Sequence, residues 1–138
     1  MAKQSGIGDQ LLVADAGGTQ RDISNDVTSH SIPTTQNLQD VTGLDKSAME
    51  RLGLLQDGSV ELSGVFNPAA NMSHDVLKSK ANVRLVTYRV GGNTNGNPQM
   101  NLNCRLENYS LARGADGSLT WSASLKLADG IVPTWGVV

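Results

Sequence analysis

Apolar and polar residues alternate along much of the chain. A period of two predicts strands, because successive side chains of an extended backbone point to opposite faces. The clearest run is Leu119, Trp121, Ala123, Leu125 and Leu127, separated by Thr120, Ser122, Ser124 and Lys126. Val60, Leu62, Gly64 and Phe66 alternate with Glu61, Ser63 and Val65. Met100, Leu102, Cys104 and Leu106 alternate with Asn101, Asn103 and Arg105, and Tyr109 and Leu111 then continue one position out of phase. A β-bulge near Glu107 and Asn108 would absorb that slip. Residues 83–90 carry apolar side chains in both phases, which predicts a central strand. On it Arg84, Val86 and Tyr88 share one face and Arg89 lies on the other. Residues 11–14 and 22–32 predict earlier strands joined through Gly17-Gly18.

Turn residues separate these runs. Asp57-Gly58 precedes one strand, the polar stretch 91–98 separates two others, and Gly114-Ala115-Asp116-Gly117 reads as a short hairpin loop. Two short helices fit the remaining pattern. One covers 45–52, with Asp45 as N-cap and Met49 and Leu52 on one face; the other begins at Asn71 or Ser73 and runs to Ser79, with Val76 and Leu77 inward. Neither is long enough to stand without tertiary packing. The expected fold is mainly β, an antiparallel β-sandwich or barrel with one or two short helices packed on it. The expected division is an N-terminal arm over 1–10, a β-sandwich domain over 11–128 and a C-terminal tail over 129–138.

Composition narrows the class. The 138 residues include only five aromatics, one Phe, two Trp and two Tyr, so the core is aliphatic, with Trp121 placed in it by the alternation. Ser, Thr, Asn, Gln and Gly make up 55 residues, while charged residues are 17%, so the surface is mostly uncharged. A net charge of −2 gives no basic field to attract nucleic acid. No apolar run approaches the ~18 residues of a membrane-crossing helix. Residues 1–10 lack the apolar stretch of a signal peptide, so synthesis in a reducing cytoplasm and no membrane binding are expected.

Candidate chemistry is sparse. His30 and His74 are far apart in sequence, and the His74-Asp75 pair reads more simply as the exposed start of a helix than as a catalytic or metal site. Cys104, the single cysteine, falls on the apolar phase of its strand and reads as a buried thiol. Gly6-Ile7-Gly8 lacks the third Gly and the following helix of a dinucleotide loop, and no Lys-Ser or Lys-Thr follows Gly91 to Gly96 as a P-loop requires. Of thirteen acids ten are Asp, several in Asp-Gly turns, and none forms the dense run that calcium needs. The sequons at Asn71 and Asn108 read as chance matches. No enzyme activity, cofactor or metal is expected; a binding or structural module is.

The order of phrases resembles the small tail tube proteins of long-tailed, siphovirus-type bacteriophages. The most specific part is 54–67, an Asp57-Gly58 turn feeding Leu62-Ser63-Gly64-Val65-Phe66. Before it come 22–27, Asp40-Val41-Thr42-Gly43-Leu44, and a short helix, Ala48-Met49-Glu50-Arg51-Leu52, with Arg51 near its end; after it come 73–77, 83–88 and 117–123. The likeness spans roughly 11–135. It implies a virion structural protein, a tail tube subunit made in the host cytoplasm. Homo-hexameric rings would stack into a tube, meet other tail proteins, and line a conduit through which DNA passes without sequence-specific binding. A chain without net positive charge suits that conduit, since phosphate attraction would retard the DNA. The segment 132–138 is not a general feature of that family. Its apolar residues Ile131, Val132, Trp135, Val137 and Val138 are the candidate subunit interface, against the alternative that the tail folds back on its own domain. Two other readings share this composition: a capsid decoration or cement protein, and a non-enzymatic β-sandwich ligand-binding module using Trp135 and the 91–98 loop.

Overall fold

The computed structural model describes residues 3–138. Nine strands and one helix follow in order: β1 (Gln10–Ala14), β2 (Gln20–Asp22), β3 (Val27–Ser31), β4 (Thr34–Asp40), β5 (Arg51–Val65), α1 (Ser73–Leu77), β6 (Arg84–Arg89), β7 (Pro98–Arg113), β8 (Leu119–Leu127) and β9 (Trp135–Val137). Every pairing is antiparallel. The main order is β2-β1-β6-β7-β8-β5-β3, with β4 beside β5 and β9 beside β7. The mainly β expectation holds, as one curled sheet.

Chain length forces the curl. The end strands β2 and β3 are joined by residues 23–26 alone. Seven flat strands would separate the end strands by about 29 Å, whereas five Cα steps reach at most about 18 Å. The linker also stitches the two sides together. Ile23 N donates to Leu11 O at 3.1 Å, and Val65 N donates to Asp26 O at 2.9 Å. His30 on β3 meets Tyr88 on β6 across the interior, ring centroids 4.5 Å apart.

The core lies inside the curl. Leu11, Val13, Ile23, Val60, Leu62, Val86, Leu102, Trp121 and Leu125 are buried there, and Val76 and Leu77 of α1 add to it. The buried phases of β7 and β8 are those the alternation selected, with Trp121 in the core. The β7–β8 register shifts between Leu106 and Asn108, so Tyr109 faces Ala123 on the core side. The expected bulge is present.

Helix α1 is held from both ends by distant residues. The Asp26 carboxylate accepts from Ser73 N at 3.0 Å and from Asn67 Nδ2 at 2.9 Å. At the other end the buried Arg84 guanidinium donates to the carbonyls of Val76 and Ser79, and its Nε donates to Ala81 O at 3.3 Å. Burial pulls the Arg84 pKa down, with only Asp15 opposing it.

The expected helix at 45–52 does not form. Arg51 and Leu52 begin β5, opposite Asp40 and Gln39 of β4, and the residues between the strands are loop. Met49 and Leu52 are both more than half exposed, so no neighbour supplies the apolar contact a two-turn helix needs. Thr42 closes the loop instead: its Oγ1 accepts from Glu50 N at 2.8 Å. Strand β4 carried no signal in the sequence, because all seven of its residues are exposed and only Leu38 is apolar.

Candidate assembly surface

Strand β5 has two unlike halves. Residues 59–65 pair with β8 on one side, and 61–64 of them pair with β3 on the other. Residues 51–58 are paired only with β4. Among the described residues, the other edge of 51–58 and the outer edge of β4 therefore have no strand partner. The β4–β5 hairpin stands clear of the core: all of β4 and the first seven residues of β5 are exposed. It carries Leu38, Leu44, Met49, Leu52, Leu54 and Leu55 in the open. A two-stranded hairpin of this length is marginal alone, and an exposed edge with leucines beside it is an association site.

The C-terminal residues lie beside this hairpin. Strand β9 pairs with the start of β7, Val137 opposite Pro98 and Trp135 opposite Met100. Val138 N donates to Asn97 O at 2.9 Å, and Gly96 N donates to Val138 O at 3.2 Å. The tail thus folds back on its own chain, yet leaves its apolar groups open. Ile131 is 69% exposed, Trp135 56% and Val137 67%, with Val132 partly covered and Val138 half-buried. Trp135 touches only the edge of Tyr88 among the aromatic rings, at 6.4 Å. Residues 130–132 and Leu127 form a groove of about 270 Å³ against Leu55, Gln56 and Asp57 of the unpaired β5 edge. Of the candidate tail residues, Ile131 and Val132 therefore adjoin the unpaired edge, while Trp135, Val137 and Val138 lie beside the start of β7. The sequence singled out the tail by its apolar residues but not the hairpin, whose leucines at 38, 44, 52, 54 and 55 follow no strand alternation.

The outer face of the sheet is hydroxyl-rich around Ser63 and Ser122. Ser29 and Ser63 are 2.6 Å apart, Ser110 and Ser122 are 2.9 Å apart, and Ser63 is the register partner of Ser122. Four serines thus form one row across β3, β5, β8 and β7.

The titratable residues are tied into the fold. His74 Nδ1 lies 3.0 Å from the Tyr109 hydroxyl, and its ring packs on Phe66 at 4.9 Å. Its neighbour Asp75 turns away, accepting from Asn71 N at 3.0 Å and pairing with Lys78 at 3.0 Å. Cys104 is fully buried, and burial pushes its thiol up to about 12, so it stays protonated and inert. Asp9 accepts from the Tyr88 hydroxyl and from Gly91 N, and His30 Nε2 lies 3.8 Å away. Burial, together with that bond to Asp9, pushes the Tyr88 hydroxyl well above its usual range. Among the described residues, no three His, Cys, Asp or Glu side chains converge as metal ligands. Nor is any helix among the described residues long and apolar enough to cross a membrane.

Known proteins resemble this chain through structure alone. No protein-family model and no curated protein sequence matches it. A chain from the virion of a native gene transfer agent particle is 16% identical with a TM-score of 0.73, over 97% of this chain and 99% of that one. A chain from the tail of an empty gene transfer agent particle, with C6 symmetry, is 16% identical with a TM-score of 0.72, over 99% of both chains. The SPP1 tail tube, solved by solid-state NMR and cryo-electron microscopy, is 10% identical with a TM-score of 0.77, over 99% of this chain and 80% of that one. At these identities the likeness is one of fold. The fold is that of phage-type tail structures, which agrees with the resemblance carried by the sequence phrases.

Proposed function

We propose that this chain is a structural subunit of a phage-type tail tube, assembling with copies of itself into stacked rings in a virion. The observation that carries the reading is the β4–β5 hairpin, which offers one unpaired edge on β4 and another on β5. Its β4 edge can pair with the β5 edge of the next copy, and repetition of that contact closes a ring and removes the free edges. The near end-to-end likeness to the SPP1 tail tube and to a tail of C6 symmetry supports six copies per ring. The exposed Ile131, Val132, Trp135 and Val137, with the half-buried Val138, form a second contact, between subunits or with other tail proteins. DNA would pass through the tube without sequence-specific contact. A row of uncharged serines and a net charge of −2 suit such passage. The role is non-enzymatic: the titratable side chains serve the fold.

Negative-stain electron microscopy of the purified protein at rising concentration tests this. Rings or tubes are expected. A strictly monomeric population at high concentration and raised salt overturns the proposal, and binding to empty capsids instead would assign the chain to decoration.

A further inference from the structure

We infer that Asn95 is a site of spontaneous deamidation whose rate is set by the C-terminal strand. Of the eleven asparagines, Asn95 alone is followed by glycine. It sits exposed in the turn before β7. Gly96 holds φ +91, and a Cβ built there would meet nothing within 4 Å, so no packed side chain crowds the turn on that side of the Gly96 Cα. The Gly96 nitrogen attacks Asn95 Cγ. The N–Cγ bond forms, the Cγ–Nδ2 bond breaks, the Gly96 amide proton is lost, and ammonia leaves. Water then opens the cyclic imide at one of its two carbonyls, giving aspartate or isoaspartate.

The gate is the end of β9. In the docked state the Gly96 N–H donates to Val138 O at 3.2 Å, while Val138 N donates to Asn97 O at 2.9 Å. A nitrogen whose proton is held by an acceptor, in a turn fixed from both sides, is poorly placed to attack. Strand β9 is three residues long and wholly exposed, so it belongs to the part of the molecule that opens most readily. When opening and closing are fast against the chemistry, conversion follows the population of the open state. The coupling also runs the other way. The imide nitrogen has no proton to donate to Val138 O, and isoaspartate adds a methylene to the backbone of the turn, so conversion releases β9 from β7. The inference rests on these contacts within one chain and does not depend on assembly.

The test is peptide mapping of three full-length samples aged at mildly alkaline pH: the native protein, Val138→Pro, which removes the N–H held by Asn97, and the native sequence unfolded in urea. Trp135→Ala serves as a second variant, loosening β9 on Tyr88 without touching the turn. Expected is aspartate plus isoaspartate at position 95 in the native sample, about threefold or faster conversion in both variants, and the fastest conversion in urea. Amide exchange over 135–138 should rise in the converted fraction. Equal rates in the native protein and both variants would overturn the gate. No conversion in any folded sample while the urea sample converts fully would overturn the site.

Discussion

Gly64 shows how a single residue can close a sheet. A Cβ built there would lie 1.8 Å from Asp26 O and 3.1 Å from Trp121 Cε2. That carbonyl is the one accepting Val65 N, so the stitch between the two sides of the sheet passes directly over Gly64. Gly64→Ala should push the stitch apart and cost about 3 kcal/mol or more, read by chemical denaturation. Arg84→Met should cost about as much, because three carbonyls lose their buried donor; loss of helical exchange protection at 73–77 checks it. Asp22 gives a pH signature. Burial acts to raise its carboxyl, but hydrogen bonds from Gln10 and Ser24 outweigh it and hold the group below its usual value. A carboxylate lowered in the folded state contributes stability that is present above about pH 4 and is lost as pH falls through the folded value. The acid-side loss of Tm should therefore be smaller in Asp22→Asn than in the parent. Little of this was legible in sequence. Gly64 stood out only as a gap in an apolar phase, and the Arg84 partners come from turns whose path no local pattern specifies.

Strands with one covered face were the most legible elements, since burial itself writes the alternation. The bulge was read from a phase slip of one residue, and it makes a prediction that runs against intuition. Glu107 is the unmatched residue between the pairs Leu106–Leu125 and Asn108–Ser124. Its deletion should restore a regular ladder, keep Tyr109 opposite Ala123, and lower Tm by no more than about 5 °C. The ion pair it makes with Lys126, at 3.9 Å on the surface, is worth little. Deleting Asn103 instead should reverse the faces of part of β7 and abolish cooperative unfolding. The helix expected at 45–52 failed for the complementary reason. Met49 and Leu52 three apart satisfy a helical face, but that face has nothing to bury it, while pairing with β4 satisfies the backbone. Strand β4 was illegible because nothing in this chain covers either of its faces.

For the whole molecule, the period-two alternation and the turn residues between its runs made the mainly β class legible, while the curl was not, because it depends on which strands become neighbours. Once β2 and β3 are known to be the end strands, length exposes it: four residues cannot bridge a flat seven-stranded sheet. The assembly surface yields a separable prediction. Leu52→Lys sits on an exposed strand and should change monomer stability by no more than about 0.5 kcal/mol, yet shift ring formation to at least about tenfold higher protein concentration, because a charge then lies at every copy of the contact. Sedimentation velocity across a dilution series checks it. One consequence of β5 concerns force. Its fifteen residues run as one strand from the exposed hairpin, through a register shift against β4 between Gly53 and Gln56, into the half paired under the core, a span of up to about 50 Å. A load taken up at the hairpin has no loop in which to dissipate. It passes as shear along one backbone into the ladders with β3 and β8, where many hydrogen bonds resist together, so bending between neighbouring copies would be shared elastically by the interior of each one.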